Sequence, residues 1–371
     1  MTEKRSVLFN STGVKTMQKL PLSNCKSLLF ALAVAGLALF AADMAVAKEK
    51  VRVAGLTWPG YGWWYIIKEK NLAPDLDVEY QAIEDPFQSF SLMSSGQMDI
   101  VSSTAEFAPI GASQGMPVRM MAYGNLSHGT DKIILRPEID GPEDLKGEKV
   151  AVMVGGLPQI MMGIYLEDNG LPFDSVEYVN VIMDQAAAAM IGGTVAGAEL
   201  WEPFGEQTLK SVKGSKVVAS TADPKWAKSA IIADAHFINA DWAEKNRETA
   251  LKALKAMYDA IAYWKKNPEE ANKIIADGMK MSVADVELVI GKDGTGLDGG
   301  LYPYTFMQAA QFCGVAPGDP PFGQTNGQMI EYYKLTNSWW VKFGTVDKEY
   351  PPEKGIDCSL LKDLYESGYR G

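Results

Sequence analysis

Residues 144–156 read DLKGEKVAVMVGG. A short helical signal over 140–146 gives way to an apolar stretch, 148–154. That stretch ends in Gly155-Gly156, and Pro158 opens a helix expected to run to 169. This strand–glycine–helix unit is where an earlier pattern starts again. Before it, residues 51–56 alternate and break at Trp58-Pro59-Gly60, and a helix is expected over 63–69. Strands follow at 76–81, 100–102, 118–123 and 132–135, with helices at 86–95 and from 103 to 112. After it come strands at 176–181, 195–200, 217–220 and 230–235, with a helix at 184–192. From 240 onward the spacing is mostly helical, over 241–267, 268–279, 283–290, 328–343 and near 360–366. Strands alternating with helices predict an α/β fold with parallel sheets. Two rounds of the pattern predict a two-lobed clamshell, one lobe of 48–134 plus 236–371 and one of 135–235. The chain is expected to cross between lobes near Leu135-Arg136-Pro137 and near Ala235-His236, a double connection able to hinge around a ligand.

The 371 residues carry a formal charge of −11 and are 47% hydrophobic. That is enough apolar material for a large core, and the acidity disfavours nucleic acid or an anionic membrane as a partner. The N-terminus reads as a secretory leader. Lys15, Lys19 and Lys26 precede an uncharged run of 15 residues, 28–42, and Ala45-Val46-Ala47 follows. The run is short for the ~20 residues that span a bilayer, so cleavage after Ala47 and secretion are expected. Met17 is an alternative start. Two cysteines remain beyond the leader, Cys313 and Cys358. In an oxidising compartment a disulfide between them would close a loop of about 45 residues; two free thiols are the alternative. No cofactor and no metal site is read from the chain, because no His or second Cys stands at ligand spacing.

In open α/β sheets ligands bind beyond the C-terminal ends of strands. Here those ends are residues 58–63, 103–106, 125–131, 155–159 and 201–202. Ser103 and Thr104 precede a helix, where hydroxyl and N–H groups suit an oxygen ligand or simply cap the helix. Gly156 offers close backbone access at a second helix start. Trp58, Tyr61 and Trp201 are aromatic faces, with Glu106 and Glu202 as counter-charges suited to a cation or a flat ring. Asn125 and His128 lie in the third strand-end segment as hydrogen-bonding candidates. Alternatives stand beside these: Trp63 and Trp64 as core, Glu202 as a hinge, capping or docking carboxylate, and His128 as a loop residue. No Arg occupies any of the five segments, which points to a cationic, zwitterionic or nitrogen-heterocyclic ligand over a plain anion.

Several segments, in order, resemble the periplasmic solute-binding proteins of nitrate, sulfonate and taurine transporters, which share a fold with thiamine-pyrimidine binding proteins. They are Trp58-Pro59-Gly60-Tyr61, YIIKEK at 65–70, LMSSGQMDI at 92–100, DLKGEKVAV at 144–152 and LWEPF at 200–204. The resemblance implies a type II-like binding-protein clamshell, a periplasmic location, capture of a small solute, and ABC permease subunits in the inner membrane as partners. A monomer is the expected state. The resemblance also raises a fungal pyrimidine synthase of the same fold, which depends on a Cys-rich motif this chain lacks. With two His and no nucleophile motif, an enzyme is not expected. A ligand-sensing protein that reports to a membrane receptor is the other reading.

Overall fold

The computed structural model describes residues 48–371, which form one compact unit; the leader expected over 1–47 lies outside the described residues. The alternating segment after residue 48 becomes β1 (Glu49–Gly55), with Val51, Val53 and Ala54 facing inward. It pairs in parallel with β2 (Leu76–Ala82) and β3 (Ile100–Thr104). Helices Trp63–Glu69 and Pro86–Ser94 connect them. The second helix starts where it does because Asp85 accepts the Phe87 N–H at 2.9 Å and Pro86 fills the first turn. Adding β4 (Val118–Ser127), β10 (Ala233–Asn239) and β11 (Leu301–Pro303) gives a six-stranded sheet ordered β11-β4-β10-β3-β1-β2.

A second sheet holds β5 (Lys132–Leu135), β6 (Lys149–Val152), β7 (Glu177–Asn180), β8 (Gly197–Leu200) and β9 (Lys216–Ser220), in the order β7-β6-β8-β5-β9. The sheets are mixed rather than parallel throughout. In each, the strand that has just arrived from the other sheet runs antiparallel to its neighbours: β5 against β8 and β9, β10 against β3 and β4. The chain therefore passes between sheets over 128–131 and 221–232, earlier than expected at both places. Residues 132–135 open the second sheet instead of closing the first. The strand expected at 230–235 starts at Ala233 and runs to Asn239 in the first sheet, because Ala230 turns the chain with φ +51°.

Trp63 and Trp64 are core. Both are buried; Trp63 packs edge-on to Trp264 at 5.9 Å, and the Trp64 indole N–H donates to Ser102 Oγ at 2.9 Å. The long helix expected over 241–267 breaks at Asn246 into Ala240–Lys245 and Arg247–Lys266. The late helix Met329–Phe343 touches both halves of the molecule. Its Trp340 indole donates to the Glu106 carbonyl at 2.8 Å, while Phe343 meets Phe173 edge-on at 5.1 Å and Lys342 pairs with Glu167 at 2.8 Å. Cys313 and Cys358 are disulfide-bonded with Cα atoms 5.9 Å apart, which pins the C-terminal segment to the body. Its loop length predicts that Cys358→Ala loses about 2–4 kcal/mol, read as a lower denaturant midpoint that added reductant shifts in the native protein but not in the variant. No described helix is long and apolar enough to cross a membrane.

Candidate ligand-binding site

The C-terminal ends of β1, β3, β4 and β8 converge on a cavity between the two sheets. Counting its mouth, it leaves about 510 Å³ of empty space. The short turn Pro59–Tyr61 after β1 supplies Trp58 and Tyr61; β3 supplies Ser103 and Thr104; β4 supplies Asn125 and Ser127. Asp131, Asp234 and Leu301 continue the wall on that side, and Met153, Leu157, Pro158 and Trp201 come from the second sheet.

Asp234 is the central charge. It is 6% exposed. Its Oδ2 accepts the Trp58 indole N–H at 2.8 Å and its Oδ1 the Tyr61 hydroxyl at 2.9 Å. Burial pushes its pKa up to about 7 against the nearby Asn125 amide and these hydrogen bonds. Asp131 accepts from the Ser127 and Thr130 hydroxyls, and burial raises its pKa as well. Glu199 is buried behind it; burial and the Asp131 charge hold it well above the usual carboxylate range. None of the wall residues is Lys or Arg. Lys132 is close by in sequence but is engaged by Glu202 and by the Gly129 carbonyl at 2.7 Å. The cavity is thus aromatic and acidic. It can solvate a positive charge on carboxylates and ring faces, and it holds no side-chain cation for an anion.

Of the residues expected from sequence, Trp58, Tyr61, Ser103, Thr104, Asn125 and Trp201 line the cavity. The other four do not. Glu106 is fully buried behind the wall; its Oε1 accepts from Thr104 Oγ1 at 2.7 Å and from the Leu157 N–H at 2.9 Å, so it ties the first sheet to the N-terminus of the helix Leu157–Asp168. Burial raises its pKa to about 8. His128 stacks on Phe322 at 5.0 Å, away from the cavity. Gly156 is the N-cap of that helix and places Leu157 and Pro158 on the wall without lining it. Glu202 turns to Lys132 and to the Glu206 N–H at 2.8 Å. Asp234 lies outside the expected segments, and Ser127 and Asp131 lie within 125–131 but were not singled out there. The available signal for Asp234 was an acid inside the apolar run IIADAHFI at 231–238, where an ionised side chain has no reason to sit unless paired.

Trp58 and Trp201 meet edge-to-face at 6.2 Å. With Leu56 and Met153 they also line an outer recess, into which Thr57, Glu84, Asp184, Glu202 and Met281 face. The Trp pair is therefore the partition between recess and cavity. Its Trp58 half depends on a bare backbone: a Cβ at Gly60 would lie 2.6 Å from Trp58 Nε1 and 2.9 Å from Asn125 Nδ2. Gly60→Ala is expected to displace the indole from Asp234 and cost about 1–3 kcal/mol by overpacking, seen as a lower melting temperature with a changed tryptophan emission.

The family model described as NMT1/THI5 like matches residues 73–271, more than half of the chain, and the chain belongs to that family. The taurine-binding periplasmic protein of Escherichia coli is 24% identical over 204 residues, 53% of this chain and 62% of that protein. The chain spans 49% to 62% of the length of the curated relatives it matches. Among solved structures, the alkanesulfonate-binding protein of Xanthomonas axonopodis pv. citri bound to MOPS superposes with a TM-score of 0.65 at 12% identity, covering 84% of this chain and 99% of that one. The periplasmic nitrate-binding protein of Synechocystis gives 0.62 at 15% identity, covering 86% and 89%. These likenesses establish the two-sheet α/β fold of periplasmic binding proteins.

Proposed function

We propose, from membership of the NMT1/THI5-like family, that this protein is the periplasmic substrate-binding subunit of an ABC importer. It captures a small organic solute between a lobe built on β1–β4, β10 and β11 and a lobe built on β5–β9, and has no catalytic role. The solute is nitrogen-containing and cationic or zwitterionic. The observation that carries this reading is Asp234, held by Trp58 and Tyr61 in a cavity whose wall has a second carboxylate, Asp131, and no Lys or Arg. A taurine-like zwitterion would satisfy Asp234 with its ammonium, but its sulfonate would depend on neutral donors alone, from backbone, hydroxyl and the Asn125 amide. The connections at 128–131 and 221–232 give the lobes a double hinge, so binding favours the closed form by the contacts made only there. Relatives named as taurine-, sulfonate- and nitrate-binding support capture of a small solute.

The test is thermal unfolding of residues 48–371 against primary and quaternary amines, amino acids, pyrimidine and purine bases, taurine, alkanesulfonates and nitrate. A ligand at 100 times its dissociation constant stabilises by about 2.7 kcal/mol. A shift with ammonium-bearing compounds is expected. A shift confined to sulfonates and nitrate would overturn the cation reading and leave the binding role.

A further inference from the structure

Most polar groups on the cavity wall already have partners. Thr104 donates to Glu106, Ser127 to Asp131, and Trp58 and Tyr61 to Asp234. Two side chains are exceptions. Asn125 is 1% exposed and lines the cavity, and neither its Nδ2 nor its Oδ1 has a protein partner. Ser103 is also 1% exposed and on the wall, and its Oγ is unpaired. The Asn125 amide lies beside the Asp234 carboxylate but outside hydrogen-bonding geometry with it. Native folds pair nearly all buried polar groups, because an orphaned one costs the desolvation of the group. Three orphaned atoms on one wall of one cavity point to an occupant that pairs them.

The position of Asn125 says what kind of occupant. It stands on β4 directly across the ladder from Asp234 on β10, where antiparallel neighbours have Cα atoms roughly 4.5–5.5 Å apart. A group held by Asn125 is therefore only one or two carbons from a cation held by Asp234. An amide side chain offers one donor and one acceptor in a plane. A carboxamide or lactam edge answers both. A carboxylate or sulfonate answers only the donor, and would lie against Asp131 and Asp234. A plain amine has donors only, so it answers at most the acceptor and leaves the amide N–H unpaired.

We propose that Asn125 is the specificity residue of this site and reads the planar donor–acceptor edge of a carboxamide or lactam, one or two carbons from the cationic nitrogen at Asp234, with Ser103 adding a hydrogen bond. The substrate class is then a compact amino amide. This rests on the cation reading above and goes further in naming the second group of the solute.

The experiment is calorimetric titration of residues 48–371 with glycinamide and 3-aminopropanamide, against ethylamine and propylamine (cation only), acetamide (amide only) and taurine. An amino amide is expected to bind roughly tenfold or more tighter than the amine of matching length. Asn125→Ala is expected to bring that ratio down to about one, with amine affinity retained. Ser103→Ala is expected to narrow it partly, and serves if the Asn125 variant does not fold. Equal binding of amide and amine by the native protein, or an undiminished ratio in both variants, overturns the Asn125 inference and leaves the cation reading in place. Binding of taurine with no response to any amine or amino amide overturns the amino amide as the substrate class and leaves a zwitterion at Asp234. Silence from all six compounds overturns the compact amino amide as the substrate class.

Discussion

Replacing Asp234 by Asn is expected to lower affinity for a cationic ligand by about thirtyfold or more and to leave the empty protein folded. The first half follows from removing the charge that faces the ligand. Losing one partner of a buried, hydrogen-bonded charge pair costs about 2–5 kcal/mol, which is roughly 30- to several thousandfold. The second half follows from the local bonds. The amide oxygen of the variant can take the Trp58 indole N–H, and its NH2 can donate to the Tyr61 oxygen once that hydroxyl rotates. The neutral amide also removes a carboxylate that burial penalises. The variant should therefore melt no lower than the native protein at pH 8. Calorimetric titration and a melting curve on the same preparation check both halves. An Asn variant that binds amines normally would remove Asp234 from the site. Asp131→Asn is the informative companion, because Asp131 is bonded to Ser127 and Thr130 rather than to the aromatic turn.

What the sequence made legible and what it hid divide along a physical line. Alternating apolar periods and glycine breaks are local, so the elements and the two α/β rounds were readable, and so were the strand ends that carry Trp58, Ser103, Asn125 and Trp201. Strand direction is not local. Nothing in KIIL at 132–135 tells which sheet it joins or that it runs antiparallel to β8, so the crossings were placed too late. Side-chain direction at a strand end is not local either. Glu106 and Glu202 were read as counter-charges for a ligand, yet one turns to the N-terminus of the helix Leu157–Asp168 and the other to Lys132. Asp234 was missed for the converse reason: its two partners lie 176 and 173 residues away. The C-terminal segment beyond 318 had no role in the sequence reading. In the structure Trp340 and Phe343 bind it to both halves, beside the disulfide at Cys358.

The other large effect is in pH, and its sign distinguishes the ligand classes. Burial puts Asp234 at about 7 and Glu106 at about 8, and it raises Asp131 and Glu199. A carboxyl whose folded pKa exceeds its unfolded value near 4 stabilises the fold while protonated. That contribution is complete below the unfolded pKa and is lost as pH rises through the folded one. The empty protein should thus lose stability as pH rises from about 4 to about 8. A cationic ligand reverses the trend at Asp234. It needs the anion, draws the pKa down, and releases a proton on binding. Its association constant should then rise up to about tenfold per pH unit below 7 and level off above it. The neighbouring groups do not cancel this. Lys132 is paired with Glu202, and burial holds His236 near 3, its ring turned to Ser102 and Trp64. A primary amine, with a pKa near that of lysine at about 10.4, stays charged throughout. Titration from pH 5.5 to 8.5 in two buffers of different ionisation enthalpy measures both the slope and the released proton. An anionic ligand would bind the protonated cavity best and give the opposite slope, so tightening at low pH would overturn the cation reading even before the ligand is identified.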